Sequence, residues 1–395
     1  MLRVGIIGYG ARIAHMARSL KIFGIPYTVA AVADPQGDSI RASDDGFLKE
    51  TQFYQTADEL LAHAGELDGV MIGTRCNLHT ELACKVAPTG LPLFLEKPVA
   101  LTFEQTRLLA ETYRDLATPV VVSFPLRLSP LLQKVKEIID SGQIGTVEHV
   151  VAVNDVPYGH GYFRTWHRNY AENGGLWLQK FTHDVDYLTY LIGQQPKWVS
   201  AMSARRVYGG TMPWDLQCKD CHLNETCPES PLIRFRTGFE ESKEGYFSRG
   251  GYCVFSEGFE IDDLGNCMIE YEKGAQLSYT QNFFARYKAE RRGARLLGYK
   301  GAIEFDWYQN QIKLFSHVSP TVQTIDFTGD MPHFGGDREL CYDFLMAMRD
   351  RTPSRAPLSA GILSALTCLW ARESANTRQF CEVKMPTDQV LEIRN

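Results

Sequence analysis

Short apolar runs and amphipathic stretches alternate over the first third of the chain. The runs at 4–7, 29–33, 69–73, 93–95 and 120–124 read as buried strands. Between them, residues 13–23, 57–64 and 103–116 carry apolar positions at helical spacing, and another helix precedes residue 93. This alternation over about 125 residues predicts a parallel, doubly wound α/β sheet. The rhythm then changes. A helix at 132–139 ends at Ser141-Gly142, and from residue 148 strand-like segments dominate. They lie at 148–153, 198–207, 266–271, 275–284, 295–298, 302–305 and 311–315. Glu272-Lys273-Gly274 between two of them reads as a hairpin turn, and hairpins make antiparallel sheet. Helices follow at about 337–349 and 358–377. The pattern predicts two domains, 1–125 and 126–395, the second an α+β unit with one sheet face packed on helices.

The first strand runs into Gly8-Tyr9-Gly10 and then a helix, the context a dinucleotide-binding fingerprint needs. Gly8 permits the tight turn. Gly10 lets the backbone approach a pyrophosphate at the helix N-terminus, formed by Ala11, Arg12 and Ile13. Ile13 stands where the pattern has its third glycine, which predicts wider helix–strand packing or a different turn. The second strand ends at Asp34, where a carboxylate accepts ribose hydroxyls and repels a 2′-phosphate. No Arg adjoins it, so NAD is favoured over NADP. Thr74, Asn77 and His79 follow the strand at 69–73 and are candidates for cofactor contact, although a loop histidine can equally be solvated.

Two stretches carry the candidate chemistry. Leu93-Phe94-Leu95-Glu96-Lys97-Pro98 is an apolar strand that stops at a charged pair and a proline. Ligands of open parallel sheets sit outside such strand ends, so Glu96 and Lys97 fall where cofactor and substrate meet. The alternative is a surface ion pair before a turn. The second stretch runs from Gly174-Gly175 through Lys180 and His183 to Asp184 and Asp186. Lys180 and His183 share a face if this turn is helical. One group would take a hydroxyl proton while the other holds the oxygen, and histidine is the better base. Alternatively, an aspartate caps the helix and His183 satisfies a backbone group.

Taken together, Gly8-Tyr9-Gly10, Asp34, Asn77 with His79, Glu96-Lys97-Pro98, the Gly174-Gly175 segment with His183 and Asp186, and His333-Phe334-Gly335-Gly336-Asp337 resemble the glucose-fructose oxidoreductase / inositol dehydrogenase (Gfo/Idh/MocA) family. The resemblance implies a Rossmann domain and a C-terminal domain with a large, mostly antiparallel sheet. It also implies a nicotinamide cofactor, a sugar or cyclitol substrate, and homodimers or homotetramers joined through that sheet. Lys97 and His183 match the family's lysine and histidine, and Lys180 is a third catalytic candidate. An Asp common four residues before the histidine is replaced by Gln179. That departure keeps open a related activity, NAD-dependent glycoside hydrolysis by transient C3 oxidation, elimination, water addition and re-reduction. A non-catalytic NAD-binding regulator is a third reading, against which both Lys97 and His183 speak.

Arg127 follows the last strand of the first domain, and Tyr162, Arg164, Trp166 and His167 precede the glycine pair. With Lys180, His183 and His333 they are candidates to bind a polar or anionic sugar. A surface loop of the same composition, and an Asp337 that merely caps a helix, are the alternatives. Cys218, Cys221 and Cys227, spaced C-x2-C-x5-C, with Cys253 as fourth ligand, suit a structural Zn²⁺ stapling an insertion at about 207–258. Free thiols or a disulfide are the other options.

Composition changes this picture little. The 395 residues are 44% hydrophobic and 22% charged, ordinary for a globular protein. A net charge of −6 gives no reason to expect nucleic acid or an anionic membrane as partner. The ten cysteines stand without a secretory leader pattern, so a cytoplasmic chain with reduced thiols is expected.

Overall fold

The computed structural model describes residues 1–238, 251–286, 288–328 and 332–385. Its first sheet has six parallel strands: β1 (Leu2–Ile7), β2 (Tyr27–Ala33), β3 (Gln52–Tyr54), β4 (Gly69–Ile72), β5 (Leu93–Leu95) and β6 (Val120–Val122). Their order, β3-β2-β1-β4-β5-β6, reverses between β1 and β4. That switch point opens the cleft at the strands' carboxyl ends. Val70, Met71 and Ile72 are all buried, as are Leu93, Phe94 and Leu95, because helices cover both faces of a parallel sheet. Their unbroken apolar runs have this cause.

The second sheet has nine strands: β7 (His149–Asp155), β8 (Pro196–Ala204), β9 (Leu264–Tyr271), β10 (Gln276–Asn282), β11 (Arg291–Leu297), β12 (Gly301–Asp306), β13 (Gln311–Ser316), β14 (Val322–Asp326) and β15 (Cys381–Glu382). They run in the order β14-β13-β12-β11-β7-β10-β9-β8-β15. All neighbours are antiparallel except β7 and β10, which pair in parallel. Along β9 burial alternates residue by residue, so one face meets the core and the other looks outward. The Glu272-Lys273-Gly274 turn joins β9 to β10, with the Gly274 N–H donating to the Tyr271 carbonyl at 2.9 Å. The short β3 and the exposed edge strand β14 lack an apolar signal, and the sequence pattern does not reveal them.

Helices Gly336–Asp350 and Leu358–Thr377 return to the first sheet. Phe344 meets Phe94 edge-on at 5.8 Å. Gly361 closes onto Val99 and Val122, where an added Cβ would come within 2.9 and 3.0 Å of their side chains. This return carries His333 and Asp337 to the cleft. Among the described residues no helix is long and apolar enough to cross a membrane.

Candidate active site

The nucleotide wall of the cleft is mainly backbone. Gly8 has φ +80°, and a Cβ there would lie 2.5 Å from the Thr74 Cγ2 and 2.9 Å from its backbone nitrogen. Only glycine fits both the turn and the approach. The helix Ala11–Ser19 begins at Gly10 with no side-chain cap, so its first-turn N–H groups remain for an anion. Ile13 is fully buried against Gly73, whose added Cβ would sit 2.6 Å from the Ile13 Cβ. The space expected from a third glycine is thus supplied by the end of β4. Asp34, at the end of β2, accepts the Tyr9 N–H at 2.9 Å and the Gln36 N–H at 2.8 Å. An uncapped helix start, a crowded glycine turn and a strand-end carboxylate together fit the pyrophosphate and ribose of a dinucleotide.

Of the other expected cofactor contacts, His79 has both ring nitrogens occupied by the fold. His79 is buried between two carbonyls, Pro98 O at 2.8 Å from Nδ1 and Thr74 O at 3.2 Å from Nε2. It ties the β4 loop to the β5 loop rather than facing ligand, and burial lowers its pKa. The Asn77 carbonyl accepts from Gln105 at 3.4 Å, and the Thr74 hydroxyl donates to the Arg75 carbonyl at 3.1 Å. The Arg12 guanidinium reaches across the cleft to Asp337 in a bidentate pair at 2.6 and 2.7 Å, and to Glu96 at 3.2 Å. Asp337 therefore clamps Arg12 and does not cap its own helix. His333, at φ +45°, also contacts Asp337, its Nδ1 2.9 Å from the carboxylate.

The facing wall is built of side chains. Lys97, just past β5, donates from Nζ to the Gln179 carbonyl at 2.9 Å. That carbonyl belongs to a wide i→i+5 turn, Trp177–Phe181, which leads into the helix Thr182–Ile192. Such turns interrupt helices at functional sites. The Gln179 side chain turns away to the Cys76 Sγ at 2.9 Å. The ammonium thus meets a neutral backbone carbonyl, and burial lowers Lys97 to about 8.

His183 is 9% exposed, and among the described residues its buried Nδ1 has no hydrogen-bond partner. Burial first, then the charges of Lys97, Arg292, Lys180 and His333, hold it well below the usual histidine range. It is a neutral base at physiological pH. The Lys180 ammonium contacts the Tyr158 hydroxyl and lies 4.6 Å over that ring. Asp184 and Asp186, on the same helix, serve the fold. Asp184 accepts from Arg292 at 2.9 and 2.7 Å, from Asn154 at 2.6 Å and from Tyr279 at 2.7 Å. Asp186 holds Arg127 at 3.0 and 2.5 Å.

The substrate candidates therefore divide. Arg127 is committed to Asp186. Arg164 is 1% exposed and bound to Glu229 at 3.2 Å, out of reach of a ligand. Trp166 and His167 stack at 3.9 Å, with Arg75 covering the indole at 4.0 Å. Tyr162 meets His167 edge-on at 5.1 Å. Burial, Lys97 and Arg75 push His167 down to about 3, so this platform stays uncharged. Tyr158 was missed by sequence reasoning. It lies in a polar loop after β7, and only folding brings it to Lys180.

The zinc expectation is not supported. Cys218, Cys221, Cys227 and Cys253 are free, and among the described residues no three ligating side chains are arranged to hold a metal ion. Part of the insertion, 239–250, lies outside the described residues. What holds the rest is a core of its own. Phe163, Tyr208, Val254, Phe259 and Phe283 are buried together. Beside them Glu229 gathers Arg164, Arg234 and Arg286. These contacts hold the described part of the segment, within which the four cysteines lie near one another.

Comparison with known proteins agrees with this architecture. Residues 2–124 match the oxidoreductase family model with an NAD-binding Rossmann fold, and residues 132–304 match the GFO/IDH/MocA C-terminal domain. A Bacillus subtilis protein named as an oxidoreductase, YteT, is 27% identical over 75% of this chain and 76% of its own length. Inositol 2-dehydrogenase of Rhizobium meliloti is 28% identical over 51% of this chain, and the match spans 58% of that enzyme. A levoglucosan dehydrogenase solved with NADH and levoglucosan shares the fold, with a TM-score of 0.75 over 97% of this chain and 99% of that one, at 18% identity. With matches that cover both sheets and the cleft between them, the chain belongs to the Gfo/Idh/MocA family of oxidoreductases.

Proposed function

We propose that this protein is an NAD-dependent dehydrogenase that moves a hydride between the nicotinamide and a hydroxyl-bearing carbon of a carbohydrate or cyclitol. The observation that carries the reading is the pairing of Lys97, just past β5, with His183, in the first turn of the helix Thr182–Ile192, where the lysine's charge bears on the imidazole. Lys97 is aimed by the Gln179 carbonyl, and His183 is neutral with an unpaired ring nitrogen. NAD, when bound, supplies the hydride acceptor. Gly8, Gly10 and the first-turn N–H groups of Ala11, Arg12 and Ile13 hold its pyrophosphate, and Asp34 its ribose. His183 takes the proton of the reacting hydroxyl. Lys97 donates an N–H to the same oxygen and stabilises the alkoxide charge as it develops, in a site with little competing water. In the reverse direction the same two groups return the proton. The Trp166 indole is sandwiched between His167 and Arg75, so what this cluster presents to a sugar is the His167 and Tyr162 rings with the Arg75 guanidinium beside them.

A second copy of the chain fits the outward face of the second sheet. Val151, Ser278, Met268 and Ser200 lie in one row across β7, β10, β9 and β8, with Trp198 and Met202 beside them. Val151, Met202 and Met268 are 47%, 63% and 55% exposed, an apolar strip of the kind that pairs subunits.

The deciding experiment mixes purified protein and NAD with a panel of free sugars, cyclitols and aryl glycosides. NADH absorbance and glycoside cleavage are followed together. NADH that accumulates in proportion to added sugar or cyclitol is the expected result. Aryl glycoside cleavage that needs NAD without net NADH would replace this reading with the oxidise–eliminate–reduce hydrolase.

A further inference from the structure

The cations around the cleft fall into two groups. Arg12 is held by Asp337 and Glu96, Arg127 by Asp186, and Arg292 by Asp184. The guanidinium of Arg168, which follows Trp166 and His167, has no hydrogen-bond partner among the described residues and packs against the insertion, 3.8 Å over the Trp214 ring and 4.8 Å over that of Tyr252. The two lysines differ. Lys97 donates to a carbonyl and Lys180 to a phenol, and among the described residues neither has a carboxylate within ion-pair distance. Lys180 is only 4% exposed. An ammonium at that depth without a counter-charge is costly to keep.

Nearby carboxylates do not relieve it. Asp184 bears on Lys180, but one of its oxygens is taken by Arg292 and the other by Asn154 and Tyr279. Glu96 bears on Lys97 but is paired with Arg12. Glu290 has a buried oxygen without a partner, and it lies toward Tyr308. Lys97, Arg292 and Lys180 all press on His183, and Lys180 presses on His333. The recess therefore carries positive charge that its own residues leave unanswered.

Tyr158 gives that charge a shape. Its oxygen receives the Lys180 ammonium, so its own O–H is left to donate, and among the described residues it finds no acceptor. Tyr158 is 47% exposed as a residue, while Lys180 lies buried beside it. One O–H and the remaining ammonium N–H groups stand next to each other as a two-donor fork. Such a fork matches the two oxygens of a carboxylate. A phosphate dianion, with three oxygens, ordinarily draws arginines as well, and Arg12, Arg127 and Arg292 are already committed.

We propose that Lys180 and Tyr158 bind a carboxylate on the substrate, and that the preferred substrate is an acidic sugar of the uronate class. This rests on the carbohydrate dehydrogenase reading above. It moves anion recognition from Arg127 and Arg164, which the fold consumes, to a lysine and a tyrosine. Burial lowers both lysines from their ordinary values, while at Tyr158 burial is outweighed by the charges of Lys180 and Arg292, which lower the phenol; a bound carboxylate raises all three again. Binding of an acidic sugar therefore takes up protons at about pH 8.5.

The test is calorimetric titration of the full chain, saturated with NADH, at about pH 8.5. The probes are D-glucuronate, D-galacturonate, their neutral parents D-glucose and D-galactose, and D-glucose 6-phosphate. At least one uronate should bind about tenfold more tightly than its parent, with proton uptake seen in two buffers of different ionisation heat. Lys180→Met should bring that ratio to about one while NADH affinity stays within about twofold. Tyr158→Phe keeps the lysine and removes the O–H, and should lower the ratio about threefold. Uronates that bind no better than their parents, or a preference that survives Lys180→Met, would overturn the proposal. Tighter binding of glucose 6-phosphate than of either uronate would overturn the carboxylate assignment. If neutral sugars reduce NAD without any uronate preference, the dehydrogenase reading stands and this one falls. If uronates bind selectively through Lys180 but no sugar reduces NAD, the carboxylate site stands and the dehydrogenase reading falls.

Discussion

The two walls of the cleft are made in different ways. The nucleotide wall comes from two short stretches, Gly8–Ile13 and Asp34, and presents a glycine turn, a helix start and one carboxylate. The facing wall, where we propose that substrate binds, draws Lys97, Tyr158, Lys180, His183 and His333 from distant parts of the chain. On the first wall the fold fixes geometry through backbone that few residues other than glycine can adopt. On the second it fixes chemistry by deciding which charges find partners. The arginines Arg12, Arg127 and Arg292 are consumed by Asp337, Asp186 and Asp184. Lys97 and Lys180 meet only a carbonyl and a phenol. Charged residues near a cleft are thus poor guides to recognition until their partners are known.

The sharpest way to break this division is at Lys97. Lys97→Ala should lower kcat about a thousandfold, ~4 kcal/mol, while NADH affinity measured by fluorescence titration changes less than about threefold. Comparable loss of both would mean that the two walls are not separable. The pH profile sharpens the point. Lys97 is lowered to about 8, so its ammonium is complete below that pH and lost above it. His183 stays neutral throughout, being held well below the usual range. Sugar oxidation should therefore be level from about pH 6 to 7.5 and fall above about 8. In Lys97→Arg that falling limb should vanish, since arginine does not titrate there.

Next in size is the contrast between a consumed arginine and an available lysine. Arg164→Met breaks a buried pair with Glu229, which keeps Arg234 and Arg286. It should cost about 3 kcal/mol of stability in urea unfolding, with KM per folded molecule unchanged. A raised KM at unchanged stability would return Arg164 to the substrate site. The smallest effect belongs to the nucleotide wall. Asp34→Asn should reduce the kcat/KM preference for NAD over NADP about tenfold, since it removes the carboxylate that repels a 2′-phosphate. An unchanged preference would place the discrimination elsewhere.

Much of the fold is legible in the sequence because burial on both sheet faces writes itself as apolar runs. β4, β5 and β6 show this, and the helix at 358–377 is read to the residue. β3 and β14 are not legible, since short or exposed strands leave no such trace. In the site, the turn at Gly8 and the strand ends at Asp34 and Lys97 are recognisable because each role is local. The Ile13 exception resolves only in three dimensions, where Gly73 on β4 supplies the missing space. The cysteine spacing suggested a metal, but spacing fixes only reach along the chain. Among the described residues the structure shows aromatic packing and the Glu229 ion pairs in this region, and no three side chains arranged to hold a metal ion.

The sequence by itself determined the two-sheet architecture, the nucleotide turn and the identity of Lys97 and His183 as candidate chemistry. These depend on periodicity and on residues adjacent in the chain. Tertiary structure alone decided that Arg127, Arg164 and His79 hold the fold, that Lys97 meets the backbone carbonyl of Gln179, and that Tyr158 meets Lys180. Those outcomes depend on which polar group each charge meets after folding. That is a matter of long-range contact and burial, which no local pattern encodes.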